Sequence, residues 1–136
     1  LKTNRSVHCR SLTNYQSGQN LQVDETQINV LKMPKIKDLP LEERPREKLL
    51  EHGADELSDV ELLAILLRTG TKEKSALDLA EEILNKFGGF KGMSGRDFED
   101  FKKISGLSDA KLASISATLE ISGRIVRQVL KDYHII

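Results

Sequence analysis

The sequence predicts an all-α fold, a compact bundle of five helices with short connections. Leu, Ile and Ala dominate the apolar residues, and the alternating Val, Thr and Tyr pattern that is typical of strands is scarce. Apolar residues instead recur at helical spacing between glycines, which is typical of helices that pack through one face. With 136 residues, the chain is long enough for one small domain and little more.

The first two helices are predicted from residues that commonly begin and end helices. Acidic residues followed by Pro45 begin the first helix, which closes at Gly53. The second helix begins at Ser58, which forms a capping box with Glu61 ahead of a run of apolar residues. It ends in the turn 69–71, which contains a glycine.

The third helix is predicted from an apolar stripe that ends at two glycines, Gly88 and Gly89. The stripe consists of residues at helical spacing: Ala76, Leu79, Ala80, Ile83, Leu84 and Phe87. Ser75 could cap this helix, with Asp78 completing a capping box. That start would lengthen the loop before the helix and weaken any phosphate site at its first turn.

The last two helices are predicted from a serine–acid pair and from further apolar spacing. Ser94 with Asp97 marks the start of the fourth helix, and its apolar positions are Phe98, Phe101 and Ile104. The fifth helix is predicted from about residue 108 to about residue 131. Its apolar positions include Leu112, Ile115, Leu119, Val126 and Val129.

The sequence also repeats itself when it is shifted by 36 residues, which places Gly70 on Gly106. The same shift aligns two serine caps, the acidic residues that complete them, and the apolar positions. Two amphipathic helices can align by chance, but coincident caps and glycines favour a duplication. We therefore predict tandem helix-hairpin-helix units at about 58–86 and 94–131.

The two glycine turns are candidate sites for an anion. The helix that starts after each turn has N–H groups without intrahelical partners, and its dipole places positive charge at the same end. Such an end can hold a phosphate, so we expect weak binding to DNA backbones without sequence specificity. The candidate residues are Ser105, Gly106, Leu107, Ser108, Lys111, Thr69, Gly70, Thr71, Lys72 and Lys74.

The second turn is the better candidate of the two, and a structural alternative stays open for both. Gly106, Leu107 and Ser108 approximate the Gly-hydrophobic-Gly of DNA-binding hairpins, with serine in place of the second glycine. Most glycine turns between antiparallel helices bind nothing. Ser108 could simply cap its own helix.

Composition and charge restrict the other functions. The chain has 21 basic and 21 acidic residues, so it lacks the strongly basic character of many nucleic-acid-binding proteins. Residues 1–34 are polar and aperiodic, which predicts a mobile arm ahead of a domain at 35–136. Cys9 is the only cysteine, which excludes an internal disulfide and leaves a cysteine zinc site unsupported. We predict no catalytic residue, no metal ligand and no cofactor.

Two further expectations concern surroundings and surface. The longest apolar run, Leu62–Leu67, is too short to cross a membrane, and no signal peptide is apparent, so we expect a cytoplasmic protein. The charged run 42–48 is expected to be a solvated helix face. The alternative is that Arg44 and Arg46 bind a phosphate or an acidic partner. The sequence does not predict the oligomeric state.

Residues 35–127 resemble the N-terminal region of the RadC family, historically labelled DNA repair proteins. The resemblance rests on "RPREKLL", on "LSDVELLAILLRTGT" and on the hairpin "ISGLSDAK", which stand in the order that the family shows. It implies a helical domain with tandem helix-hairpin-helix units.

The resemblance also implies a second domain similar to JAMM/MPN metalloproteases, which bind zinc through a His-x-His pair and acidic residues. The histidines of this chain, His8, His52 and His134, are widely separated, so no residue here matches that metal site. Two alternatives to DNA binding therefore remain. The chain could dock a partner protein or a missing catalytic domain, or it could be a fragment of a zinc-dependent hydrolase.

Overall fold

The computed structural model describes residues 32–136, and this part of the chain contains α-helices and 3-10 helices but no strand. The α-helices are α1 (Pro45–His52), α2 (Asp59–Leu67), α3 (Ala76–Phe87), α4 (Phe90–Met93), α5 (Phe98–Lys102) and α6 (Asp109–Asp132). The 3-10 helices are Ile36–Asp38, Leu41–Glu43 and Ala54–Glu56. The all-α prediction is confirmed. Most of the predicted arm at 1–34, with Cys9, lies outside the described residues.

The core lies where α2, α3, α5 and the first half of α6 meet. Every position of the predicted α3 stripe is buried, since α3 turns one apolar face towards its neighbours. Phe87 at the end of α3 packs on Phe101 of α5, with 4.7 Å between the ring centroids. The other buried apolar residues of this core are Leu63, Ala64, Leu67, Leu77, Met93, Ile104, Leu112 and Ile115.

The helix ends are those that local chemistry predicts for the first three helices. Pro45 is the first residue of α1, and Gly53 follows its last. Ser58 and Glu61 form the predicted capping box at the start of α2, and Ser75 and Asp78 form a second box at the start of α3. The loop before α3 is therefore long, as the alternative start required.

The predicted start of the fourth helix at Ser94 is wrong. A one-turn helix that the sequence did not predict, α4, ends there, and the Ser94 N–H donates to the Phe90 carbonyl oxygen at 3.1 Å. Ser94 lies four residues before the first residue of the next helix, which is too far for it to be the N-cap. α5 begins only at Phe98, after Asp97, whose side chain makes no capping hydrogen bond. The part of the chain that the structure describes thus contains six α-helices, one more than the five predicted.

The tandem helix-hairpin-helix arrangement is not confirmed. α3 begins at residue 76 and α6 at residue 109, so the two starts do not follow the shift of 36 residues. The turns also differ in backbone conformation, since Gly106 has φ +97° whereas in the first turn it is Arg68 that has a positive φ, 66°.

The second half of α6 extends beyond the core. The only buried residues of α6, Leu112 and Ile115, lie in its first half, and the predicted apolar positions Val126 and Val129 are 55% and 46% exposed. No helix within residues 32–136 combines the length and the apolar character needed to cross a membrane.

Candidate nucleic-acid interface

The two predicted turns lie against each other. The Lys74 Nζ of the first turn donates to the Ser105 Oγ of the second at 3.2 Å. A Cβ on Gly106 would lie 2.8 Å from the Thr71 Cγ2 methyl, which is closer than carbon atoms pack. The structure therefore brings the ten predicted residues to one end of the helices, as two adjoining segments.

The first turn is folded around Thr71. Its Oγ1 accepts hydrogen bonds from the N–H groups of Glu73, at 3.2 Å, and Lys74, at 3.0 Å, while its own N–H donates to the Lys74 carbonyl oxygen at 2.7 Å. A Cβ on Gly70 would lie 2.1 Å from that same carbonyl oxygen. Gly70 is required here because the backbone approaches it closely.

A carboxylate of the protein occupies the start of α3. Asp78 accepts hydrogen bonds from the Ser75 N–H at 3.1 Å, the Ser75 Oγ at 2.8 Å and the Met33 N–H at 2.8 Å. An external anion would meet this negative charge at the helix end. The first turn can therefore contribute side chains to an anion site more readily than helix N–H groups.

The start of α6 is more open. The Ser108 Oγ accepts from the Lys111 N–H at a long 3.4 Å, and the N–H groups of Asp109 and Ala110 have no acceptor among residues 32–136. Leu107 packs partly against the core, so its side chain anchors the turn while the backbone stays at the surface. The acidic Asp109 in the first turn opposes an incoming anion.

The lysines of the two turns differ in their charge partners. Lys74 Nζ lies 2.6 Å from Glu82 Oε2, which neutralises much of its charge. Lys72 and Lys111 have no ion-pair partner within the part of the chain that the structure describes. These two lysines are the charges of the predicted set that remain available to a phosphate.

A feature that the site prediction missed is a groove that opens beside the first turn, with a volume of about 760 Å³. We call it the basic groove. Its basic lining residues are Lys35, Lys37, Arg44, Arg46, Arg68 and Lys74. Of these six residues, the sequence analysis singled out only Arg44, Arg46 and Lys74, because the others reach the groove from segments far apart in the chain.

The described residues contain no group of three or more His, Cys, Asp or Glu side chains placed to hold a metal ion.

Comparison with known proteins places this helical domain in a family. Residues 36–113 match the family model described as UPF0758 N-terminal. The chain belongs to the UPF0758 family. The resemblance to RadC is thereby confirmed, since RadC is the name of the same family. No solved structure matches the chain.

Several UPF0758 relatives are similar over the same region. The chain is 52% identical over 97 residues to a UPF0758 protein of Saccharophagus degradans. The aligned region is 71% of this chain and 43% of the relative. It is 48% identical over 102 residues to a UPF0758 protein of Bacillus licheniformis. That aligned region is 75% of this chain and 46% of the relative. The chain thus spans less than half the length of these curated relatives.

Proposed function

We propose that this UPF0758 domain is a non-catalytic module of a cytoplasmic protein, which binds DNA weakly through backbone phosphates at the paired glycine turns. The observation that carries the proposal is the contact between the turns, through Lys74 with Ser105 and Thr71 with Gly106. Because of this contact, the two short candidate sites form one continuous surface. Phosphates carry no base identity, so such binding has no sequence specificity.

The turns supply few phosphate contacts. Lys72 and Lys111 provide charge, and the N–H groups at the start of α6 provide hydrogen-bond donors. With about two to four phosphates neutralised, log K should fall with log salt with a slope of about −2 to −4. Binding should therefore be measurable at low salt and weak at physiological salt.

The experiment measures fluorescence anisotropy of labelled single-stranded, duplex and branched DNA over a salt series. The test variant is the double charge reversal Lys72→Glu with Lys111→Glu. The matched control pair is the double variant Lys86→Glu with Lys91→Glu, which reverses the charge of two exposed lysines away from the turns. We expect the turn variant to abolish binding and the control pair to retain most of it.

Two results would contradict this proposal. One is the absence of binding to all three DNA forms at low salt by a chain whose circular dichroism is that of a folded helical protein. The other is an equal loss of affinity in the turn variant and the control pair, which would mean that only net charge matters.

A second candidate function is docking of a protein domain on the second half of α6. The apolar residues exposed there are Ile121, Ile125, Val126 and Val129. We infer that these residues contact the part of UPF0758 proteins that this chain does not span, because an exposed apolar face commonly marks an interface. The test mixes this chain with the part of the Saccharophagus degradans relative that it does not cover.

The docking variant is Ile125→Asp with Val129→Asp, and the control is Arg124→Asp with Gln128→Asp on the same exposed half-helix. Co-elution that is lost in the apolar variant and kept in the control supports docking. Failure of the wild-type chain to co-elute excludes it.

A further inference from the structure

The basic groove has an apolar floor between basic walls. It lies between the segment 35–37 with the start of α1 on one side, and the end of α2 with the turn 69–71 on the other. The apolar residues that line it are Ile36, Pro45, Ala64, Ile65 and Ala76. Six basic side chains line it as well, against one acidic residue, Glu47. A chain with no net charge therefore concentrates positive charge at one cleft.

Most of that charge is not neutralised by the protein. Lys35, Lys37, Arg46 and Arg68 form no ion pair with any carboxylate of residues 32–136, and only Lys74 does, through Glu82. Negative groups that enter the groove would meet several cations at once and would be partly shielded from water by its walls. The groove is therefore complementary to an acidic ligand.

One wall of the groove is held in place by hydrogen bonds. Arg44 Nε donates to the Leu39 carbonyl oxygen at 3.2 Å, and Arg44 Nη2 donates to the Lys37 carbonyl oxygen at 2.9 Å. Further along, the Met33 N–H donates to Asp78 Oδ1 at 2.8 Å. These bonds tie the segment 33–39 to α1 and α3, so the groove exists before any ligand binds, which lowers the cost of binding.

The opposite wall contains a strained residue. Arg68 has φ 66° and ψ −53° at the centre of a γ-turn, closed by the Thr69 N–H donating to the Leu67 carbonyl oxygen at 2.7 Å. A residue with a Cβ rarely adopts this conformation, and such strain is concentrated at functional sites. Here it accompanies an exposed guanidinium on the groove wall.

We propose that the basic groove is a docking site for an acidic peptide segment that carries aliphatic side chains. The aliphatic floor would take the apolar side chains, and the basic walls would pair with glutamate or aspartate. A nucleic-acid strand suits the groove less well, because no aromatic residue lines it to stack on bases. The groove shares Thr69, Gly70, Thr71 and Lys74 with the first turn, but neither Lys72 nor Lys111, the charges proposed to contact DNA, lines it.

The test measures binding of a fluorescein-labelled peptide of alternating glutamate and leucine pairs. A second peptide, with glutamine in place of each glutamate, is measured in the same way. Mixed-sequence single-stranded DNA is added as a competitor. The wild-type chain should bind the glutamate peptide, and salt should weaken the complex. Replacing glutamate by glutamine should lower the affinity at least about tenfold, because the charge pairs at the walls are lost.

The groove variant is Lys37→Glu with Arg46→Glu, both exposed positions, and the control is Lys86→Glu with Lys91→Glu. We expect the groove variant to lose about tenfold in peptide affinity and the control to lose little. Equal binding of the two peptides, or equal loss in the two variants, would overturn the proposal. So would DNA that displaces the peptide and depends on Lys37 and Arg46, since the groove would then be a nucleic-acid surface.

Two substitutions at Arg68 test its side chain and its backbone conformation. Arg68→Ala removes the charge and keeps the positive φ, whereas Arg68→Gly removes both the charge and the strain. Both variants should lose at least about threefold in affinity for the glutamate peptide. Wild-type affinity in both, with the circular dichroism of a folded chain, would remove Arg68 from the site.

Discussion

Gly106 is constrained in two ways at once. Its φ of +97° is a conformation that residues with a Cβ rarely adopt, and a Cβ would lie 2.8 Å from the Thr71 Cγ2 methyl. The glycine thus lets the two turns approach, and it was the feature of the second turn that the sequence identified most securely. Its structural role does not depend on any ligand.

We expect Gly106→Ala to lower the free energy of unfolding by about 2–3 kcal/mol, from backbone strain together with the contact to Thr71. The control is Gly95→Ala, where φ is +79° but nothing lies within 4 Å of the added Cβ, so only strain is added. Adding Thr71→Ser to Gly106→Ala removes the methyl group and should recover part of the loss. Urea unfolding of the variants measures these differences, and equal losses at Gly106 and Gly95 would refute the contact.

Glu61 makes stability depend on pH. Burial raises the pKa of its carboxyl, but hydrogen bonds from the Ser58 N–H and from Lys48 and the nearby Lys48 charge outweigh burial and leave the pKa below its ordinary value of 4.5. A lowered pKa in the folded state stabilises the protein above the ordinary pKa. That stabilisation is lost as the pH falls through the lowered value.

We expect Glu61→Gln to lower the free energy of unfolding at neutral pH, and the difference from wild type to shrink as the pH falls below about 4. Urea unfolding at a series of pH values measures this. Glu56→Gln, at an exposed position, is the control and should show little difference at any pH. A Glu61 difference that is independent of pH would mean that its charge is not the cause.

At the scale of the helices, the caps of α3 and α6 use the same residue in different surroundings. Ser75 is 6% exposed, and its Oγ both accepts from the Asp78 N–H at 3.0 Å and donates to Asp78 Oδ2 at 2.8 Å. Ser108 is exposed, and its Oγ accepts one long bond of 3.4 Å. A cap contributes more where it is buried and doubly bonded.

We therefore expect Ser75→Ala to cost about 1–2 kcal/mol of unfolding free energy and Ser108→Ala about 0.5 kcal/mol or less. The two changes are chemically identical, so each is the control for the other. Chemical denaturation measures both, and an equal or reversed order would show that burial of the cap does not set its contribution.

The same elements show why the sequence predicted some features and missed others. Capping boxes and the stripe of α3 depend on residues three or four apart, so local chemistry determines them. The pair of Ser94 and Asp97 has the same pattern but fails, because α4 ends at Ser94. The basic groove could not be predicted, since it forms only when the segment 35–37 and Arg68 are brought together by packing.

At the scale of the whole molecule, the second half of α6, its far half from the core, adds no buried side chain to the core. Within residues 32–136, the buried core residues all precede residue 116 and the partly buried Leu119 packs against them, while α6 continues to Asp132 with an exposed apolar face. A helix without tertiary contacts is only marginally stable in water. The far half of α6 should therefore contribute helix content but little to the stability of the core.

Deletion of residues 121–136 tests this division. We expect the thermal midpoint of the core to change by less than about 4 °C, because no buried side chain is removed. The far-ultraviolet circular dichroism should fall as the helical turns beyond residue 120 are lost. Deletion of residues 112–136 is the contrast, since it also removes the buried Leu112 and Ile115 and should unfold the domain. If the shorter deletion already unfolds the chain, the exposed half of α6 stabilises the core through contacts that burial does not reveal.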